Sequence, residues 1–162
     1  MELWDAYDSD FRRIEGMTLV RGEPVPEGCF HLVCDVIVRH RDGAWLLMRR
    51  SEGKHHGGMW EASAGGSALR GEGPVQCAAR ELREETGIVS NDLTELGRVI
   101  FHERRTIYVE YLCTVDCDKD SIILRPGETS DYRWVEKGEL FRMPRSELVT
   151  RRILCFVEEL DA

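Results

Sequence analysis

The chain has 162 residues, enough for one domain with a full apolar core and too few for two. With 42% apolar and 32% charged residues it has a folded, globular composition, which excludes a disordered chain. Its 22 Lys and Arg against 30 Asp and Glu leave a formal charge of −8, so no nucleic acid partner gripped by a broad basic surface is expected; a small phosphorylated substrate stays open, because a bound cation reverses the local sign.

Residues 1–28 are polar, with a turn-rich stretch from Arg21 to Pro26, and are expected to form an extension packed on a single domain at 29–162. Met1 to Asp5 is acidic and carries no apolar run, so no secretory signal is expected. No window is apolar over the roughly 18 residues of a membrane helix, so no membrane partner is expected. The residues 31–39 (HLVCDVIVR) and 44–49 (AWLLMR), on either side of the Arg41-Asp42-Gly43 turn, predict a β-hairpin. Gly57 and Gly58 break the chain before a short strand near Trp60, and Gly65, Gly66, Gly71 and Gly73 punctuate a loop. A helix is predicted from Pro74 to Thr86, with Pro74 at its first position and Gly87 in the left-handed place past its end. Val75, Ala78, Ala79, Leu82 and Thr86 would form its buried face. Further strands are expected at 94–102, 106–115 and 132–135, and a closing amphipathic helix from Ser146, as its cap, to Leu160. Helices on both sides of strands predict a layered α/β arrangement.

Six cysteines lie scattered in apolar stretches with no C-x-x-C pair, which reads as reduced thiols of a cytoplasmic protein. A zinc site from Cys113 and Cys117 with His55, His56 or His102 is the alternative, and it lacks the usual ligand spacing.

The chemistry concentrates on the helix. Glu81, Glu84 and Glu85 fall at i, i+3 and i+4, on one flank. Like charges at that spacing repel by about 0.2–0.5 kcal/mol a pair. Glu84 and Glu85 also sit in the last turn, where the helix dipole disfavours anions. Taken alone, such a run marks a solvated acidic face; the broken local rules also fit a site for a hard divalent cation with oxygen ligands.

The surrounding residues decide between these. Gly66, Glu72, Arg80, Glu81, Leu82, Glu84, Glu85, Gly87 and Ile88 match G-x5-E-x7-R-E-U-x-E-E-x-G-U, with U a large aliphatic, at every fixed place. This is the Nudix box, and the chain resembles the Nudix hydrolases from about residue 30 onward. The resemblance implies an α/β/α sandwich around a central mixed sheet. It implies Mg²⁺- or Mn²⁺-assisted hydrolysis of a nucleoside diphosphate linked to another moiety, a small-molecule substrate, with dimers common. Glu81, Glu84, Glu85 and the Gly66 carbonyl would hold metal, with Glu81 and Glu84 counted as catalytic. Glu72 and Arg80 would support them by a salt bridge, and Gly87 would end the helix. Glu128, six residues before Trp134, would bind metal or act as general base; Glu110 is the other candidate.

The flanks, from Gly28 to Leu32, Leu47 to Ser51, Lys54, and Gly58 to Glu61, are similar to the branch containing isopentenyl-diphosphate isomerase. Gly65 stands where that enzyme has its catalytic cysteine, and the box here is intact, so isomerisation is disfavoured. Arg49, Arg50, Lys54 and Trp60 are candidates for binding the rest of the substrate, the basic ones through its phosphates. His31 reads as a strand histidine with a satisfied hydrogen bond. A ligand sensor without catalysis is the alternative from another class.

Overall fold

The computed structural model describes residues 1–160. Its centre is a seven-stranded mixed sheet built from β3 (His31–His40), β4 (Trp45–Arg50), β5 (Trp60–Glu61), β6 (Ala64–Ser67), β7 (Leu93–Phe101), β8 (Thr106–Val115) and β9 (Thr129–Val135). The middle of the sheet is the parallel pair of β3 and β8, in register over ten residue pairs from His31↔Thr106 to His40↔Val115. The β3–β4 hairpin forms as expected, but pairs only at Val38↔Leu46 and Arg39↔Trp45. The lower half of β3 pairs with β6 instead, from Val33↔Ser67 to Val36↔Ala64. β6 is a strand in the stretch whose glycines predict a loop. Its small residues allow close approach to β3, and that approach brings Gly66 into the site described below.

Alternation along β3 and β4 divides the core. Cys34, Val36, Val38, Leu46 and Met48 face α1 (Pro74–Thr86), with Cys77, Ala78 and Leu82 packed on them. Ile37, Trp45 and Leu47 face α2 (Lys137–Arg142) and α3 (Arg152–Glu159), which bury Leu140, Ile153, Leu154 and Val157. The result is the α/β/α sandwich.

α1 begins as predicted, with Gly73 as its extended first residue and the Gly73 N–H donating to Gln76 Oε1 at 2.7 Å. It ends at Gly87, whose φ of 79° is the left-handed conformation that favours glycine. The buried stripe is rotated from the expected one. Val75 is 46% exposed and Ala79 half-buried, while Cys77 and Glu81 are buried with Ala78, Leu82 and Thr86. The helix turns its Glu81 edge inward because Gly66 opposite has no side chain.

The closing helix is a second correction. Ser146 caps nothing; α3 begins at Arg152. The residues before it are held in a β-like bridge, with the Trp60 N–H donating to the Glu147 carbonyl at 2.7 Å and the Val149 N–H to the Trp60 carbonyl at 2.9 Å. The backbone is already committed there, so no helix can start.

Residues before 28 contain two strands, β1 (Leu3–Tyr7) and β2 (Arg13–Val20), paired antiparallel. Their polar character reflects a β2 that is mostly exposed. Trp4, Ala6, Leu19 and Cys29 form their own small core. Reciprocal hydrogen bonds of 2.9 and 2.8 Å between Tyr7 and Phe30 join the hairpin to the start of β3.

The fully buried Leu82 fixes α1 against the sheet. Leu82→Ala is expected to cost about 2–5 kcal/mol, read as a lowered urea midpoint. A loss below about 1 kcal/mol would show that α1 is not anchored there.

Candidate active site

β6, the loop at 68–73, α1 and the segment before β9 surround a cavity of about 520 Å³. Gly66 of β6 lies against the helix: a Cβ on it would stand 2.3 Å from Glu81 Oε1. A side chain at 66 would have to displace the Glu81 carboxylate; Gly66 lines the same wall as Glu81, Glu84 and Glu85, and its carbonyl accepts from the Cys77 thiol at 3.5 Å.

Arg80 organises the acidic groups. Its Nε donates to Glu72 Oε2 at 2.6 Å and its Nη2 to Glu72 Oε1 at 2.9 Å, a two-pronged pair. Its Nη1 reaches Glu81 at 2.8 Å and Glu84 at 3.2 Å, and its Nη2 also reaches the Ser67 carbonyl at 3.1 Å. Burial works upward on the Glu72 carboxyl, but the Arg80 bonds prevail and hold it below its ordinary value. Glu81 and Glu85 go the other way. Burial pushes Glu81 up against the pull of Arg80. Burial, then Glu81 and Glu61, push the Glu85 carboxyl up to about 9. Arg80 is thus shared among three other carboxylates, and the fourth is left with acidic neighbours.

These donors fit a hard divalent cation. They are carboxylate oxygens and a carbonyl, the set that Mg²⁺ and Mn²⁺ take, and a bound cation would favour the ionised forms of Glu81 and Glu85 that burial disfavours. Among the described residues no three acidic, histidine or cysteine side chains are gathered as a ready-made cluster. Glu84 is turned to Arg80 and, at 3.4 Å, to Arg125. Cys113 is buried in the core and is not assembled with Cys117 or with His55, His56 or His102. His31 is half-buried, with its Nδ1 3.3 Å from Thr106 Oγ1 and its ring stacked on Trp4 at 4.4 Å.

The other candidates separate into those on the wall and those off it. Glu128 and Lys54 form an ion pair on the wall. Arg50 is on the wall too, paired with Glu61 at 3.0 Å. Arg49 is turned away, with its Nε donating to the Gly58 carbonyl at 3.0 Å and Glu52 3.6 Å off. Trp60 packs with the α3-side core beneath Arg133.

Glu110 lies behind the cavity, fully buried. Arg152 of α3 inserts between it and Asp35 of β3, bonding both, and lies 3.5 Å from the centre of the Tyr108 ring. Glu110 Oε2 accepts no hydrogen bond among the described residues. Asp35 and Arg152 do line the cavity. With Glu61 and Arg125 they are wall residues that sequence reasoning missed. Asp35 and Arg152 stand 117 positions apart; the parallel β3–β8 register sets Asp35 beside Glu110, and Arg152 at the start of α3 bonds both. Asp35 also explains Gly65: a Cβ there would stand 2.1 Å from Asp35 Oδ1.

Comparison with known proteins adds to this geometry. The family model for the NUDIX domain matches residues 30–155. An uncharacterized Nudix hydrolase of Listeria monocytogenes is 33% identical over 141 residues, covering 86% of this chain and 83% of the relative. An isopentenyl-diphosphate Delta-isomerase of Streptomyces griseus is 36% identical over 76 residues, 46% of this chain and 39% of the relative. A crystal structure from Deinococcus radiodurans superposes with a TM-score of 0.75 at 20% identity, over 97% of this chain and 98% of that one.

Burial, then Asp35, push the Glu110 carboxyl up to about 8, against the pull of Arg152. Its folded state thus holds a proton more tightly than its unfolded state. The stability it contributes is complete below the ordinary carboxylate range and is lost as pH rises through about 8. Wild type is expected to lose stability relative to Glu110→Gln between about pH 5 and about pH 9, read by urea unfolding at each pH. A difference that stays flat across that range would show Glu110 ionised throughout.

Proposed function

The chain belongs to the Nudix family, and from that premise we propose that it is a divalent-cation-dependent pyrophosphohydrolase that cleaves the diphosphate of a small molecule, a nucleoside diphosphate linked to another group. The observation that carries this reading is the convergence of Glu81, Glu84, Glu85 and Gly66 on one cavity under the control of Arg80. Mg²⁺ or Mn²⁺ would be held by those three glutamates and the Gly66 carbonyl, and when bound would neutralise diphosphate charge and acidify the attacking water.

The chain's own residues take the remaining roles. Arg80 favours the ionised form of Glu81 against its burial, and bridges loop and helix through Glu72. Glu128 accepts the proton of the attacking water, and Lys54 fixes its carboxylate on the wall. Arg50 and Arg125 meet phosphate oxygens of the substrate. Arg49 and Trp60, which face away from the cavity, have no part in this reading, and Glu110 acts only through Arg152. The isomerase alternative is disfavoured because Gly65 offers no side chain for proton transfer, and one placed there would have to displace the Asp35 carboxylate. All six cysteines are free thiols, which supports a reducing, cytoplasmic setting. No helix among the described residues is long and apolar enough to cross a membrane.

The test is chromatographic detection of the phosphorylated cleavage products from a panel of nucleotide sugars, nucleoside triphosphates, dinucleoside polyphosphates and isopentenyl diphosphate, with Mg²⁺ or Mn²⁺ and with chelator. Turnover of at least one is expected to need the cation. Glu84→Gln is expected to lower kcat by at least about 100-fold with the melting temperature kept. Hydrolysis surviving within about tenfold would overturn the role given to Glu84. Conversion of isopentenyl diphosphate to its isomer would favour the alternative.

A further inference from the structure

Glu2 and Arg21 line the same cavity as Gly66, Ser67 and Glu81, although they lie outside the matched family region. They come from the two ends of the β1–β2 hairpin, joined by the Arg21 N–H donating to the Glu2 carbonyl at 3.0 Å. The hairpin is fastened to the box loop itself. The Arg70 N–H donates to the Leu3 carbonyl at 2.9 Å, and the Gly71 N–H to Asp5 Oδ2 at 2.8 Å. Trp4, 7% exposed and stacked on His31, donates its Nε1–H to Glu2 Oε1 at 2.8 Å. The hairpin wall and the cation-binding residues are therefore parts of one rigid arrangement.

The cations of the wall are unequally committed. Arg80 serves Glu72, Glu81 and Glu84; Arg152 serves Asp35 and Glu110; Arg50 and Lys54 are paired with Glu61 and Glu128. Their side chains are between 18% and 30% exposed. Two others are looser. Arg125 is 44% exposed, with its Nη1 3.4 Å from Glu84 Oε2. Arg21, on the hairpin, is the more exposed at 67%, and its Nη1 makes one contact of 3.2 Å to Glu2 Oε2. An ion pair that exposed is weak, so it yields readily to a better anion. A guanidinium has five N–H donors in a planar fork that matches a phosphate or carboxylate, and among the described residues the fork of Arg21 makes one side-chain hydrogen bond, from Nη1 to Glu2. Glu2, pinned by Trp4, keeps the fork over the cavity until the anion arrives.

We propose that the N-terminal hairpin is a wall of the active site and that Arg21, poised by Glu2, is a specificity residue for an anionic group of the substrate lying beyond the diphosphate that is cut. This rests on the pyrophosphohydrolase reading. It assigns to the chain a preference for substrates with an additional phosphate or carboxylate over those ending in a neutral sugar. Arg21 does not touch the reacting atoms; it acts on binding.

The experiment compares wild type, Arg21→Ala, Arg21→Lys and Glu2→Gln in hydrolysis and in binding. Hydrolysis uses substrates with a further anionic group (nucleoside triphosphates, dinucleoside polyphosphates) and without one (nucleotide sugars with neutral sugars). Arg21→Ala is expected to raise KM by about tenfold or more for the first group only, with kcat within about twofold, and Arg21→Lys to recover part of the loss. Binding uses the melting shift given by inorganic tripolyphosphate and by pyrophosphate with Mg²⁺. Arg21→Ala is expected to reduce the first shift and spare the second. Equal KM changes in both groups, or shifts unchanged by Arg21→Ala, overturn the role of Arg21 while hydrolysis by wild type leaves the parent reading standing. Arg21-dependent tripolyphosphate binding without any hydrolysis by wild type overturns the parent reading and keeps the anion site. Neither hydrolysis nor Arg21-dependent binding overturns both.

Discussion

Arg80 stands among Glu72, Glu81 and Glu84 with its side chain 18% exposed, and the Ser67 carbonyl completes its set of partners. Without it, the box would present four carboxylates within fourteen residues and no cation of its own except the exposed Arg70 and Arg83. With it, the loop at 68–73 is drawn onto the first turns of α1, Glu81 can be buried, and Gly66 can lie close enough that no Cβ fits. The pair with Glu72 supplies the geometry as well as the charge, since a fork on a carboxylate fixes orientation as a lysine would not. Glu85 is what remains outside this compensation, half-buried and flanked by Glu81 and Glu61. Its environment favours the protonated carboxyl, as burial does for Glu110 on the other wall. A divalent cation would reverse that preference, and the donor set around it fits one.

A second guanidinium plays the corresponding part on the other face of the sheet. Arg152 is the first residue of α3, and it bonds both Asp35 and Glu110, which are paired across the centre of the sheet. Two carboxylates share one cation there, and Glu110 is left with one oxygen without a partner. Burial favours a proton on Glu110 in compensation. The cavity floor on that side is therefore less acidic than its composition suggests, and the negative potential is concentrated at the box.

The parts of this arrangement that were legible in the sequence are the local ones. Glu72, Arg80, Glu81, Glu84 and Glu85 lie within fourteen residues, so helical spacing alone puts the last three on one flank. The strands from β3 to β9 carry strong apolar runs and were read within a few residues, apart from the glycine-rich β6. What failed had physical causes of another kind. Ser146 has the right chemistry for a helix cap, but the chain from 147 to 149 is occupied by its bonds to Trp60, and a tertiary contact overrode the local signal. The stripe of α1 was misread because Glu81, a charged residue, takes an inward position that hydrophobic patterning gives to Val75. Asp35, Arg125 and Arg152 carry no spacing signal at all, since they meet the site through sheet topology.

The two kinds of contact divide the site into a fixed part and a variable part. The carboxylates that would cut the diphosphate are organised by bonds spanning one to eight residues, from Glu72 to Arg80 and from Arg80 to Glu81 and Glu84. Such contacts survive almost any change elsewhere in the chain, because their loop closure is short and their helix is capped by its own glycines. The walls that would choose the substrate are brought in from the first residues, from the segment before β9 and from α3, over separations of up to 117 residues. Those contacts depend on how whole elements dock, and they can be altered by a hairpin, a loop or a helix start without disturbing the carboxylates. Glu2, Arg21, Arg125 and Arg152 all belong to that second class. A chain with an unaltered box can therefore differ from another in the walls of its cavity through changes in a hairpin, a loop or a helix start.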